Sequence, residues 1–234
     1  MRHYVFLLLA ATTALATAVS SCGTANPKSE PYVHAELYNR YEAYTGGYTA
    51  EAKLSLRDSV SGLDTAYAAT GGIAFLGSNL ERDIVADDYI RHRGTRVTPP
   101  VDRVRYTFQR PDGTVAEVQG ALQAWDTLIM GPQPTHNFGF TVYPGDDDDV
   151  LLPGESLSAL FQPNDGNPVL ANIRGPSSPG KGYVFPRGTV GSWPLSTGTI
   201  TFIRRRTTDI EQEGVVGTLT EEVYSGQIPT AVVN

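Results

Sequence analysis

The chain of 234 residues contains a single cysteine, and its surroundings suggest what its thiol does. Cys22 follows a basic start at Arg2 and an apolar block from Tyr4 to Ala18. A basic start, a short apolar core and small residues before a cleavage point are typical of a secretory signal peptide. The block is about 15 residues long, shorter than the roughly 20 that a helix needs to span a bilayer. We therefore expect residues 1–21 to be removed.

The residues Val19-Ser20-Ser21-Cys22 resemble the lipobox of bacterial lipoproteins, in which an aliphatic residue and two small residues precede the lipidated cysteine. The resemblance covers only this leader. It implies that signal peptidase II cuts before Cys22 and that its thiol and new amino group carry acyl chains such as palmitate. Gly23 stands where many inner-membrane lipoproteins have Asp, which implies the outer membrane. The alternative is an ordinary secretory signal beside a chance cysteine.

Four consecutive acids, Asp146, Asp147, Asp148 and Asp149, form a second group with possible chemistry. Calcium prefers several oxygen ligands in a flexible loop, and this segment offers them, with Asp165 as a further ligand. Adjacent acids also repel one another and are commonly solvated. A calcium site and a solvated loop both remain open.

Three aromatic residues, Trp125, Trp193 and Tyr183, are candidates for ligand stacking. If they are exposed on the loops of a β-sandwich, they could bind a glycan or a peptide.

A hydrolase is a further alternative, and it would need His92 or His136 beside a carboxylate and a serine.

The charge of the chain limits its partners. The net charge is −7, which argues against a nucleic-acid partner because such proteins need a basic face. The basic run Arg204-Arg205-Arg206 is an exception, and we expect it to be a solvated strand end. A single cysteine also excludes a cysteine-rich zinc site.

Period-two patterns predict the strands that position these groups. Residues 48–57 alternate apolar and polar side chains, which indicates a half-buried strand. The turn Arg110-Pro111-Asp112-Gly113 predicts a hairpin from Arg103 to Trp125. A second hairpin is predicted from Thr199 to Tyr224. Strands at short intervals, separated by turn signals, predict an all-β, antiparallel β-sandwich.

The strand spacing resembles two immunoglobulin-like units, although the Cys/Trp/Cys signature is absent. We expect a lipid-anchored tether and short helix over 22–46, one unit over 47–134 and a second over 135–234. A single larger sandwich and an eight-stranded barrel remain open. The helix is suggested by Ser29 as N-cap, Pro31 in the first turn and Gly46 at the end. The rival prediction is a strand from Tyr32 to Tyr38.

These patterns predict a bacterial cell-envelope lipoprotein with a non-enzymatic binding or structural body. Its partners would be the membrane, through the N-terminal lipid, and envelope proteins or glycan. A surface glycan- or peptide-binding accessory protein is the main alternative.

Overall fold

The computed structural model describes residues 32–57, 61, 63–86, 89–125, 127–212 and 214–234. The signal peptide, Cys22 and the tether up to residue 31 lie outside these ranges. Most residues of the described chain lie in β-strands and almost none in helices, which confirms the predicted all-β sandwich class. The strands are β1 (Tyr32–Glu42), β2 (Gly47–Arg57), β3 (Asp64–Ala66), β4 (Ile73–Phe75), β5 (Ser78–Asn79), β6 (Glu81–Ala86), β7 (Tyr89–Val97), β8 (Arg105–Gln109), β9 (Val115–Gln119), β10 (Leu128–Met130), β11 (Phe140–Pro144), β12 (Glu155–Pro163), β13 (Val169–Arg174), β14 (Tyr183–Phe185), β15 (Thr197–Gln212), β16 (Val215–Tyr224) and β17 (Ile228–Ala231). One short helix, α1 (Arg187–Val190), lies between β14 and β15.

One long sheet organises the molecule. Its strands follow the order β13-β12-β15-β16-β1-β2-β7-β6, with β3 beside β2 and β17 beside β15, which makes ten strands. Neighbours in this sheet are antiparallel except β1 and β16, which run parallel. Two small sheets, β5-β4-β8-β9 and β10-β11-β14, complete the β-structure of the described chain. The long sheet therefore joins residues from both predicted sequence halves.

Each half of the long sheet contributes to a separate apolar core. The first cluster combines side chains of β1, β2, β4, β8, β9 and β16. The second combines side chains of β11, β12, β14 and β15 with the residues around α1. Strand β15 contributes Ile200 and Phe202 to the second cluster and Ile210 to the first. The division into two immunoglobulin-like units stays a prediction, since the halves have separate cores but share one sheet.

The predicted N-terminal helix is wrong, because Tyr32–Glu42 is a strand. Val33, Leu37 and Tyr41 are spaced by four, which places them on one side of a helix and equally on one side of a strand. Ala35 and Asn39 are also buried, so the true period is two. Pairing with β2 and β16 along the whole length of β1 then satisfies its backbone on both edges.

Both predicted hairpins are confirmed. Strands β8 and β9 pair around the turn at residues 110–113, where the amide of Gly113 donates to the carbonyl of Arg110 at 3.0 Å. Strands β15 and β16 form the second hairpin.

Within the described ranges, no helix has the length and apolar character that a membrane crossing requires.

Candidate functional site

Two of the three predicted ligand-stacking residues belong to the core. Trp193 is 2% exposed and stacks on Phe161, with ring centroids 5.4 Å apart. Tyr183 is 1% exposed, and its hydroxyl donates to the carbonyl of Asp149 at 3.1 Å. The pKa of Tyr183 is raised to about 12. Burial is the largest cause, and the nearby charge of Asp149 is the second. The expectation that these rings are exposed is wrong, because they fill the second apolar cluster.

Trp125 has a different position. It is half-buried and packs against both apolar clusters, at the connection between β9 and β10. A ring that contacts two cores has little surface left for a ligand. The sequence could not reveal this, because an aromatic residue in a loop gives the same signal whether it is exposed or fills a gap.

The four acids of the loop at residues 146–149 differ in their exposure. Asp146, Asp147 and Asp148 are exposed, whereas Asp149 is half-buried and accepts a hydrogen bond from Arg204 Nη1 at 2.8 Å. The carboxylate of Asp146 accepts the backbone amide of Asp148 at 3.0 Å. In the part of the chain that the structure describes, no three His, Cys, Asp or Glu side chains converge as a metal site. Calcium binding by this loop stays a prediction.

The two histidines of the hydrolase alternative have different surroundings. His136 Nε2 contacts the carbonyl of Trp193 at 2.7 Å. His92 is buried on the inner face of β7, and burial, followed by the charge of Arg82, lowers its pKa.

A buried arginine was missed by the sequence reasoning. Arg204 is 4% exposed, although the run 204–206 was expected to be solvated, and that expectation is wrong for this residue. Its Nε and Nη2 donate to Glu155 Oε2 at 3.0 and 2.7 Å, and Nη2 also donates to the carbonyl of Val150 at 2.7 Å. Desolvation lowers the pKa of Arg204, but Glu155 and Asp149 outweigh it and raise the pKa overall. Strand alternation carried the signal, since residue 204 follows the buried positions 200 and 202.

A row of polar residues crosses the inner face of the long sheet beside this ion pair. Glu155, Arg206, Glu221 and Asn39 are direct cross-strand neighbours on β12, β15, β16 and β1. We call these four residues together with Arg204 and Asp149 the polar seam. On β15, Arg204 and Arg206 of the polar seam lie between Phe202, which belongs to the second apolar cluster, and Ile210, which belongs to the first. The polar seam therefore separates the two apolar cores.

Glu221 is the most deeply buried acid of the polar seam, at 1% exposure. Its carboxylate accepts the backbone amides of Ala121 at 3.1 Å and Leu122 at 3.4 Å. Desolvation raises the pKa of Glu221, and these amides and Arg206 oppose the rise. The carboxylate thereby ties the connection between the small sheets to the long sheet. This arrangement is suited to fixing the position of the small sheets relative to the long sheet.

The outer face of the long sheet carries a second cluster of polar and aromatic side chains. The hydroxyls of Tyr38 and Tyr224 both donate to Glu222 Oε2, at 2.8 and 3.1 Å. The guanidinium of Arg40 lies over the Tyr224 ring, 5.3 Å from its centroid. Burial, followed by the hydrogen bond to Glu222, raises the pKa of Tyr38. We call Tyr38, Arg40, Glu222 and Tyr224 the tyrosine cluster.

A shallow groove of about 300 Å³ begins at Tyr38 and extends across β2 to Tyr89 and Arg91 on β7. It offers aromatic faces, hydrogen-bond donors and charges of both signs. The sequence did not single out these residues, because the tyrosines come together only through the pairing of β1 with β16.

No protein-family model matches the chain, and no curated protein matches it.

Proposed function

We propose that the protein is a lipid-anchored lipoprotein of the bacterial cell envelope, with a β-sandwich body that binds or supports a partner and does not catalyse a reaction. The observation that carries the proposal is the leader, where a basic start and a short apolar block precede Val19-Ser20-Ser21-Cys22. An outer-membrane location is favoured over the inner membrane by Gly23.

The connection between the anchor and the body supports a role in which the body bears force applied through the tether. Tyr32, the first residue of β1, is ten positions after Cys22, so the tether spans at most about 35 Å. Strand β1 is bonded to β16 on one side and to β2 on the other. A pull on the tether would therefore load two strand pairings of a central strand at once. Two or more acyl chains on one residue would make release negligible.

Metabolic labelling with a clickable palmitate tests the anchor. The wild-type protein should take up label and fractionate with membranes, whereas Cys22→Ala should do neither. Ser21→Ala is the matched control, because it keeps a small residue before the cysteine and should label like the wild type. An unlabelled wild-type protein would overturn the proposal.

A second candidate function is glycan or peptide binding, which we now assign to the tyrosine cluster and its groove because Trp193 and Tyr183 are buried. Co-sedimentation with insoluble peptidoglycan tests it. Tyr38→Ala should reduce the bound fraction several-fold, whereas Tyr143→Ala, on the remote strand β11, should not. Equal binding by both variants would count against this candidate.

A further inference from the structure

A cleft of about 370 Å³ lies between the edge region of the long sheet and the first small sheet. Arg96 of β7 lines one wall, and Arg103 and Arg105 line another, at the start of β8. Val101 and Leu76 supply apolar surface, and Gln119 adds an amide. Three arginines thus line the cleft beside a small apolar wall.

The positive charges of this arginine cleft are poorly compensated. None of the residues that line it is acidic. Arg105 has one carboxylate nearby, Glu117 at 3.6 Å, and both side chains of that pair are about half exposed. Such exposed ion pairs are weak, so the guanidinium of Arg105 can exchange Glu117 for another anion. Three cations gathered in one concavity, on a chain of net charge −7, attract an anion.

Arg96 is held in place by a strained turn. Its Nη1 donates to the carbonyl of Leu76 and to Ser78 Oγ, the latter at 3.0 Å. Leu76 has φ 48° and is the one non-glycine residue with positive φ in the described chain. Gly77 follows with φ 78°, so the β4–β5 turn needs positive φ at two successive positions. Left-handed backbone is unfavourable at a leucine, and strained residues of this kind cluster at functional sites. The turn positions both the guanidinium and the apolar wall.

We propose that the arginine cleft is a binding site for a free solute that carries phosphate, sulfate or clustered carboxylate groups. A guanidinium presents a planar fork of donors that matches two oxygens of such a group. Three forks around one cleft suit a ligand with more than one anionic group, and Leu76 and Val101 accept its apolar part.

A free solute can reach the cleft in any orientation of the body, whereas the head groups of the anchoring membrane reach it only when the body turns its far end toward the bilayer. Register places Arg96 beside Tyr48, and Tyr48 beside Tyr41, nine residues along β1 from Tyr32. At about 3.3 Å per residue, this is roughly 30 Å from the start of the strand. The cleft therefore lies at the end of β1 remote from the tether. This orientation rests on the proposed anchoring, whereas the cleft itself does not.

Titration of the full chain carrying Cys22→Ala tests the site without interference from acyl chains. Pyrophosphate and citrate, at low salt, are the solute probes, and binding is followed calorimetrically. Arg103→Gln should weaken binding at least about tenfold, because each charge-assisted contact contributes strongly to affinity. Arg187→Gln, an exposed arginine of α1, makes the same change in net charge and should bind like the parent. Thermal unfolding of each variant confirms that it is folded.

Three outcomes would overturn the proposal. One is the absence of binding by either solute at 10 mM, a concentration about ten-thousandfold above a dissociation constant of about 1 μM. Another is equal weakening by Arg103→Gln and Arg187→Gln, which would mean general charge attraction. The third is binding to phosphatidylglycerol vesicles, but not to the solutes, which would assign the cleft to lipid head groups. Failure here leaves the palmitate test unaffected, so the two proposals can fail separately.

Discussion

Arg204 and Glu155 form an ion pair inside the protein, with side chains 5% and 2% exposed and the Nη2–Oε2 distance at 2.7 Å. The two residues lie 49 positions apart and meet through the pairing of β12 with β15. Removing one partner of a buried pair leaves the other charge without compensation, which costs about 3–5 kcal/mol.

Arg204→Met should therefore lower the free energy of unfolding by about 3–5 kcal/mol in urea denaturation. Arg205→Met is the matched control, because Arg205 is 56% exposed and lies 3.8 Å from Glu222. Its cost should stay within about 0.5 kcal/mol, as for most surface substitutions. Equal costs for the two variants would contradict the polar seam as a stabilising element.

Glu221 should make stability depend on pH. Desolvation raises its pKa in the folded state above the ordinary value of 4.5. A raised pKa means that the folded state binds the proton more tightly, so this contribution to stability is complete below the unfolded pKa. It is lost as the pH rises from about 4.5 through the folded pKa.

Glu221→Gln removes this titration and keeps a polar side chain for the amides of Ala121 and Leu122. Relative to the wild type, the variant should gain stability as the pH rises through that window. Urea unfolding at intervals between pH 4 and pH 8 measures the difference. Parallel curves for the two proteins would show that the carboxyl does not titrate abnormally.

Gly217 should not tolerate a side chain. It has φ 144° and faces Ala35 across the parallel pair of β1 and β16, where a Cβ would lie 1.9 Å from the Ala35 carbonyl oxygen. Gly217→Ala should cost at least about 1–3 kcal/mol of stability, the usual scale of backbone strain. Gly226→Ala, where a Cβ meets open space, is the control and should be nearly neutral. A thermal shift for Gly226→Ala as large as for Gly217→Ala would refute this account.

Trp193 should behave as a core residue and not as part of a ligand site. Trp193→Ala should destabilise the protein by about 3–5 kcal/mol, as large-to-small core substitutions do. Phe138→Ala is the control, because Phe138 is 86% exposed. Chemical denaturation measures the loss of stability in both variants. A smaller loss for Trp193→Ala than for Phe138→Ala would contradict the assignment of Trp193 to the core.

The β class, strand β2 and the two hairpins could be predicted from the amino-acid sequence. These depend on local signals: alternation along a strand and the chemistry of a tight turn such as residues 110–113. For β1 the local signal was ambiguous, because a spacing of four suits both periods, and pairing with β2 and β16 decided the outcome.

The partners of the charged and aromatic side chains became known only from the tertiary structure. Arg204 is buried because Glu155 and Asp149, 49 and 55 positions away, satisfy its guanidinium. The tyrosine cluster and the arginine cleft likewise join residues from distant strands. Alternation along β15 places residue 204 on the buried face of the sheet. Whether a charge is stable there depends on an opposite charge that arrives from elsewhere in the chain, and spacing along one strand does not show that partner.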